Sequence, residues 1–104
     1  MIQITKHALD FCLRKDIAFI FIHTPFCGTC KLARKMLVTV EEMWEQDIFY
    51  DLNAAMFPDK MKQFQITSVP CLLILRKGKP VDKIYAIESV TNIYNQLLVY
   101  KDQI

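Results

Sequence analysis

Two short runs of the chain are apolar at every position: residues 18–22 (AFIFI) and 71–75 (CLLIL). Neither alternates with polar residues. This is the pattern of strands buried on both faces, at the centre of a sheet with helices on either side. Residues 48–52 (IFYDL) are a third strand candidate and residues 81–86 a fourth. The fourth follows Arg76-Lys77-Gly78-Lys79, a glycine-containing turn short enough to join two antiparallel strands as a hairpin. Residues 2–4 could add a short fifth strand.

Between these runs the period lengthens. Thr5 is placed to cap a helix reaching about Leu13. From Thr29 to about Glu45, the residues Ala33, Met36, Leu37, Val40, Met43 and Trp44 step by three and four, which predicts one buried helix face. Pro58 suits the first turn of a short helix ending near Gln65. Ser89 can cap a last helix with Val90, Ile93, Tyr94, Leu97 and Leu98 on its inner face. The order β-α-β-α-β-α-β-β-α predicts an α/β fold: a mixed central sheet of four to five strands flanked by helices.

Composition sharpens this only slightly. A chain of 104 residues is expected to form one domain over 1–104, and 53% hydrophobic residues supply a core without metal or disulfide staples. The net charge is +2 and the basic residues are mixed with acids, so no nucleic-acid surface is expected. The first apolar run begins at residue 18 and is five residues long, unlike a secretory signal. No stretch approaches the roughly twenty apolar residues of a membrane span, and a cytoplasmic location is expected.

Four cysteines are too few for a disulfide scaffold. Cys12 and Cys71 stand alone, whereas Cys27 and Cys30 form a Cys-x-x-Cys pair between a predicted strand and the long helix. Unpaired backbone N–H groups and the helix dipole at that terminus favour a thiolate on Cys27 and lower its pKa from about 8.5. The thiolate is the form that attacks disulfides. Cys30 lies one turn further on, so the two sulfurs can meet. Lys31, Arg34 and Lys35 add positive field, and their ordinary reading is a solvated outer face. The same spacing is also half a zinc site. Cys12, Cys71, His7 and His23 are the remaining candidate ligands, and none forms a second tight pair. The strand–Cys-x-x-Cys–helix placement favours redox chemistry over metal.

Two segments about forty residues apart now make a family visible. Phe26-Cys27-Gly28-Thr29-Cys30-Lys31 resembles the Trp-Cys-Gly-Pro-Cys-Lys motif of thioredoxins. The stretch from Phe64 to Pro70, followed by Leu72 to Lys79, resembles their cis-proline segment and the strand and turn after it. The resemblance implies that Cys27 attacks and Cys30 resolves, that Pro70 is the cis-proline facing the pair, and that Val69 offers its backbone to an extended substrate. Phe26 and Val69 would line an apolar contact patch. Tyr85 and Ala86 lie where relatives have a substrate-facing loop. The implied function is dithiol–disulfide exchange on protein disulfides in cytoplasmic redox homeostasis. The implied donor is a reductase like thioredoxin reductase, or a thiol. No cofactor is implied beyond the Cys27–Cys30 couple, and the protein is expected to be a monomer. The alternative is an adaptor that docks partners on its apolar patch and makes little use of its cysteines.

The chain departs from the family at several positions. A buried aspartate usually lies six residues before the first cysteine, where Phe21 stands here. His23 replaces an aromatic residue, Lys35 replaces the proline that kinks the long helix, and Thr29 replaces the proline inside the motif. Cys71 follows Pro70 where threonine is common, and Thr24-Pro25 resembles glutaredoxins. With no acid at Phe21, His23 is a candidate proton shuttle for Cys30, because strand alternation places it on the Phe21 side. Its other reading is a packed, hydrogen-bonded histidine. Phe21→Asp is expected to speed turnover at a cost in stability. Cys12 and the methionines are expected to be packing residues, and Cys71 a small buried hydrophobe or a third thiol.

Overall fold

The computed structural model describes residues 1–103. The first all-apolar run becomes the middle of a seven-residue strand at the centre of a five-stranded mixed sheet. The strands are β1 (Ile2–Gln3), β2 (Ile17–His23), β3 (Phe49–Asn53), β4 (Cys71–Arg76) and β5 (Lys79–Ile84), in the sheet order β1-β3-β2-β4-β5. β3 runs parallel to both β1 and β2, while β4 is antiparallel to β2 and to β5. The helices are α1 (Lys6–Leu13), α2 (Gly28–Trp44), α3 (Pro58–Gln63) and α4 (Val90–Leu97). Two 3₁₀ turns, Ala54–Met56 and Leu98–Gln103, were not anticipated from the sequence.

Alternation along the strands divides the core in two. Phe19, Phe21, Phe49, Leu72 and Ile74 face α2 and α4, where Cys30, Ala33, Leu37, Val40, Ile93 and Leu97 meet them. Ala18, Ile20, Ile22, Tyr50, Leu52, Cys71 and Leu73 face the other way, toward Leu9 and Cys12 of α1 and the Phe57–Phe64 stretch around α3. Fully burying one such side chain is worth about 1.5–3 kcal/mol, so the two clusters hold the sheet between its helices.

Several boundaries and faces differ from expectation. Met43 is half exposed because it lies roughly 90° around the helix from the Ala33–Leu37–Val40 line. Leu98 is also exposed, since α4 has ended before it. Met56 is exposed on a 3₁₀ turn rather than packed on a helix. α3 stops at Gln63, and β5 spans Lys79–Ile84, leaving Tyr85 and Ala86 beyond the strand. Thr5 precedes α1 without a side-chain cap bond, whereas Ser89 Oγ accepts from the Asn92 amide at 3.1 Å. The β4–β5 hairpin turns on Lys77 (φ 50°) and Gly78 (φ 79°), the pair of left-handed residues that a two-residue turn between twisted strands requires. α2 is continuous over 17 residues, and no proline interrupts it at Lys35.

A buried carboxylate ties α2 to the sheet. Glu41 Oε2 accepts from the backbone amides of Ile48 at 2.9 Å and Phe49 at 3.1 Å, and Oε1 pairs with the Met1 amine at 3.1 Å. The entry into β3 is thereby fixed against the helix that carries the cysteines.

Candidate active site

β2 delivers the chain to the edge of the sheet at His23, and α2 starts five residues later. Cys27 is the N-cap of α2, with extended backbone (φ −112°, ψ 108°). Its sulfur accepts from the Cys30 amide at 3.1 Å and lies 3.3 Å from Thr29 Oγ1. Cys27 and Cys30 are joined as a disulfide with a Cα–Cα distance of 5.2 Å. Cys27 is half-buried, whereas Cys30 is 4% exposed and packs in the core beside Ala33. A negative sulfur at Cys27 would sit among the free amides of the helix start, where partial positive charge is greatest.

The residues flanking the pair leave apolar surface open to solvent. Phe26 is completely exposed. The Val69–Pro70 peptide bond is cis, and both residues are half-buried immediately before β4. An open groove of about 450 Å³ runs past Thr29, Leu32, Met36, Pro70, Tyr85 and Ile87. Tyr85 is partly fixed there, its hydroxyl accepting from the Thr67 amide at 3.3 Å.

On the same face of the sheet as Phe21 lies a carboxylate that sequence reasoning did not single out. Asp51 is the register partner of Phe21 on the neighbouring strand. Its carboxylate takes both arms of the Arg34 guanidinium, Nη1 to Oδ2 at 3.0 Å and Nη2 to Oδ1 at 3.1 Å. Oδ1 also pairs with His23 Nε2. The Phe21 ring stacks on His23, with centroids 5.4 Å apart and planes at 24°, and Arg34 lies 5.3 Å above the Phe21 centroid. Arg34 is therefore not a merely solvated side chain. His23 does lie on the Phe21 side of the sheet, and it is both packed and hydrogen-bonded. The signal for Asp51 was a lone carboxylate in an otherwise apolar strand, with a cation four residues after Cys30.

The other two cysteines are turned away from this chemistry. Cys12 and Cys71 are fully buried in the α1–α3 half of the core, on the opposite side of the sheet from Cys30. Burial pushes each thiol up to about 11. Cys71 therefore follows Pro70 in sequence but lies apart from the Cys27–Cys30 disulfide. Among the described residues, no cluster of three or more His, Cys, Asp or Glu side chains could hold a metal ion. Nor is any helix among them long and apolar enough to cross a membrane.

A Cys-x-x-Cys disulfide at the start of a helix, with a cis-proline on the same mixed sheet, defines a thiol–disulfide exchange scaffold. The family model for thioredoxin matches residues 1–98, and the chain belongs to the thioredoxin family, a family of thiol–disulfide oxidoreductases. It is 43% identical to the thioredoxin-like protein YusE of Bacillus subtilis, over 90% of this chain and 88% of that one. It is 26% identical to thioredoxin-1 of Saccharomyces cerevisiae, over 77% of this chain and 79% of that one. Among solved structures, a mutant thioredoxin from Halobacterium salinarum superposes with a TM-score of 0.80 at 14% identity, covering 95% of this chain and 88% of that one. The oxidised thioredoxin of Plasmodium falciparum gives 0.76 at 14% identity, covering 100% and 99%. Thioredoxins need no bound cofactor, generally act on protein disulfides and are recycled by thioredoxin reductase.

Proposed function

We propose that this chain, working as a monomeric single domain in the cytoplasm, catalyses dithiol–disulfide exchange through Cys27-Gly28-Thr29-Cys30. The reduced Cys27 thiolate attacks one sulfur of a substrate disulfide, and the other substrate sulfur leaves and takes a proton. The resulting mixed disulfide joins Cys27 to the substrate. Cys30 then loses its proton and attacks Cys27, expelling the second substrate thiolate. The substrate gains two electrons and two protons, and the protein is left as the Cys27–Cys30 disulfide. A reductase or a small thiol returns it to the dithiol.

The observation that carries this reading is the contrast between the two sulfurs: Cys27 caps α2 and receives an amide, while Cys30 is buried behind it. Phe26, Val69 and Pro70 are the proposed substrate contacts, since exposed apolar surface beside a reactive sulfur suits an extended peptide. His23 is the proposed acceptor of the Cys30 proton. Buried thiols resist ionisation, so this step gains most from a base.

Reduction of insulin by dithiothreitol, followed as turbidity, tests the reading. The wild-type protein is expected to accelerate precipitation and Cys27→Ser to abolish the acceleration. The fully exposed Phe26 also suits an adaptor that binds a partner without exchange. An adaptor would leave the insulin rate unchanged, and its binding would survive Cys27→Ser.

A further inference from the structure

We propose that Asp51 is a positioning residue for the resolving step: held by Arg34, it fixes the His23 imidazole as acceptor of the Cys30 thiol proton. This inference rests on the exchange reaction proposed above. Phe21 leaves β2 without an acid, but its register partner on β3 is a carboxylate. Adjacent strands lie about 4.8 Å apart, so the acid has moved by one strand, not been lost. Arg34 is four residues beyond Cys30 on α2, so its anchor lies just over one turn, or about 6 Å, along the helix from the resolving cysteine.

The geometry around the imidazole is over-determined. The guanidinium grips Asp51 by two parallel bonds, which prevents the carboxylate from rotating. Arg34 is steadied in turn by the Phe21 ring below it. His23 is held on one face by that same ring and at Nε2 by Asp51 Oδ1. A neutral imidazole that donates from Nε2 carries its acceptor lone pair on Nδ1. No hydrogen bond to Nδ1 occurs among the described residues, so that position can take up a proton. A base oriented by a carboxylate that does not itself react is the general logic of nucleophile activation.

In the step itself, the Cys30 S–H bond breaks and its proton passes to His23 Nδ1, directly or through one water. The Cys30 thiolate forms the bond to Cys27 Sγ, and the Cys27–substrate bond breaks. The expelled substrate thiolate takes a proton from the imidazolium or from solvent. Among the described residues, Asp51 pairs with Arg34 from α2 and His23 from β2, and Arg34 Nη1 also reaches Sδ of Met1, whose amine pairs with Glu41. The facing position on β1 is Gln3, which does not titrate.

Single-turnover kinetics with a fluorescent peptide disulfide, from pH 5 to 9, test the proposal. Asp51→Asn and His23→Gln preserve size and are compared with wild type. Formation of the Cys27 mixed disulfide is expected to stay within about twofold, and its resolution to slow at least tenfold in both variants, part of the 10²–10⁴ that a general base supplies. Resolution in wild type should rise with pH as an imidazolium loses its proton, and that rise should vanish in His23→Gln. Folded Asp51→Asn with wild-type resolution and pH profile overturns the proposal. Should Asp51→Asn not fold, His23→Gln decides, and an unchanged resolution profile there overturns it equally. Wild-type protein that forms no mixed disulfide refutes the exchange reaction itself, a different result from exchange that proceeds without Asp51.

Discussion

Phe21→Asp gives β2 the carboxyl group that relatives usually carry there, and the structure predicts that it fails as a repair. Phe21 is fully buried between the His23 ring and the Arg34 guanidinium. Removing a buried phenylalanine costs about 3–5 kcal/mol, and the lost cation–π contact roughly 1 more. The new carboxyl also arrives beside Asp51, its register partner on a strand about 4.8 Å away. The sum, about 5 kcal/mol, is comparable with the whole stability of a small domain, about 5–15 kcal/mol. Burial and the neighbouring carboxylate raise the folded-state pKa of the new group above its unfolded value of about 3.9. A raised group contributes stability fully below the unfolded pKa and loses it as pH rises through the folded one. The variant should therefore fall further behind Phe21→Ala at pH 8 than at pH 4. Urea unfolding followed by Trp44 fluorescence measures this, because Trp44 packs edge-on against Tyr94 between α2 and α4. Turnover per folded molecule should be no faster than wild type. A variant within about 1 kcal/mol of wild type at pH 8 would refute the packing described around Phe21.

Three further outcomes follow from other parts of the molecule. Glu41→Ala leaves the buried amides of Ile48 and Phe49 without their acceptor and should destabilise by about 2–6 kcal/mol in urea, at roughly 1–3 per orphaned group. Gly78→Ala should lower the melting temperature markedly, because a Cβ at φ 79° would sit 2.7 Å from the Leu13 carbonyl oxygen. In the reduced native protein, iodoacetamide at pH 8 should modify Cys27 and spare Cys12 and Cys71, whose thiols are held neutral to about 11. Those raised values also make stability fall as pH climbs from about 9 to 11, which alkaline unfolding of Cys12→Ala and Cys71→Ala would register as a shallower decline.

The central strands were legible because they are buried on both faces, which leaves a continuous apolar run at residues 18–22 and 71–75. The cysteine pair was legible because strand, Cys-x-x-Cys and helix follow one another locally. β5 was displaced because Lys79-Pro80-Val81-Asp82-Lys83 is an edge segment with little burial to impose a pattern, and proline is tolerated there. The end of α2 near Glu45 was legible because the steps of three and four stop at Trp44, although Glu45 takes the left-handed cap conformation usually given to glycine. The Asp51 group was hidden for a different reason. Asp51, Arg34 and His23 come from three elements, and only the parallel register Phe21↔Asp51 and the packing of α2 bring them together. Cys71 carried a misleading proximity: it follows Pro70 in sequence, yet alternation turns its side chain to the far side of the sheet.

The division of labour between the cysteines is open to one direct measurement. Reduced Cys30→Ser and Cys27→Ser proteins are each mixed with an excess of a peptide disulfide, and adducts are followed by intact mass and peptide mapping. Cys30→Ser should accumulate a single stable mixed disulfide on Cys27, since the sulfur that would release it is gone. Cys27→Ser should form its adduct at least about a hundredfold more slowly, because the Cys30 thiol is buried and away from the helix terminus. Equal rates in the two variants, or no adduct on Cys27, would contradict the assignment of Cys27 as the attacking sulfur.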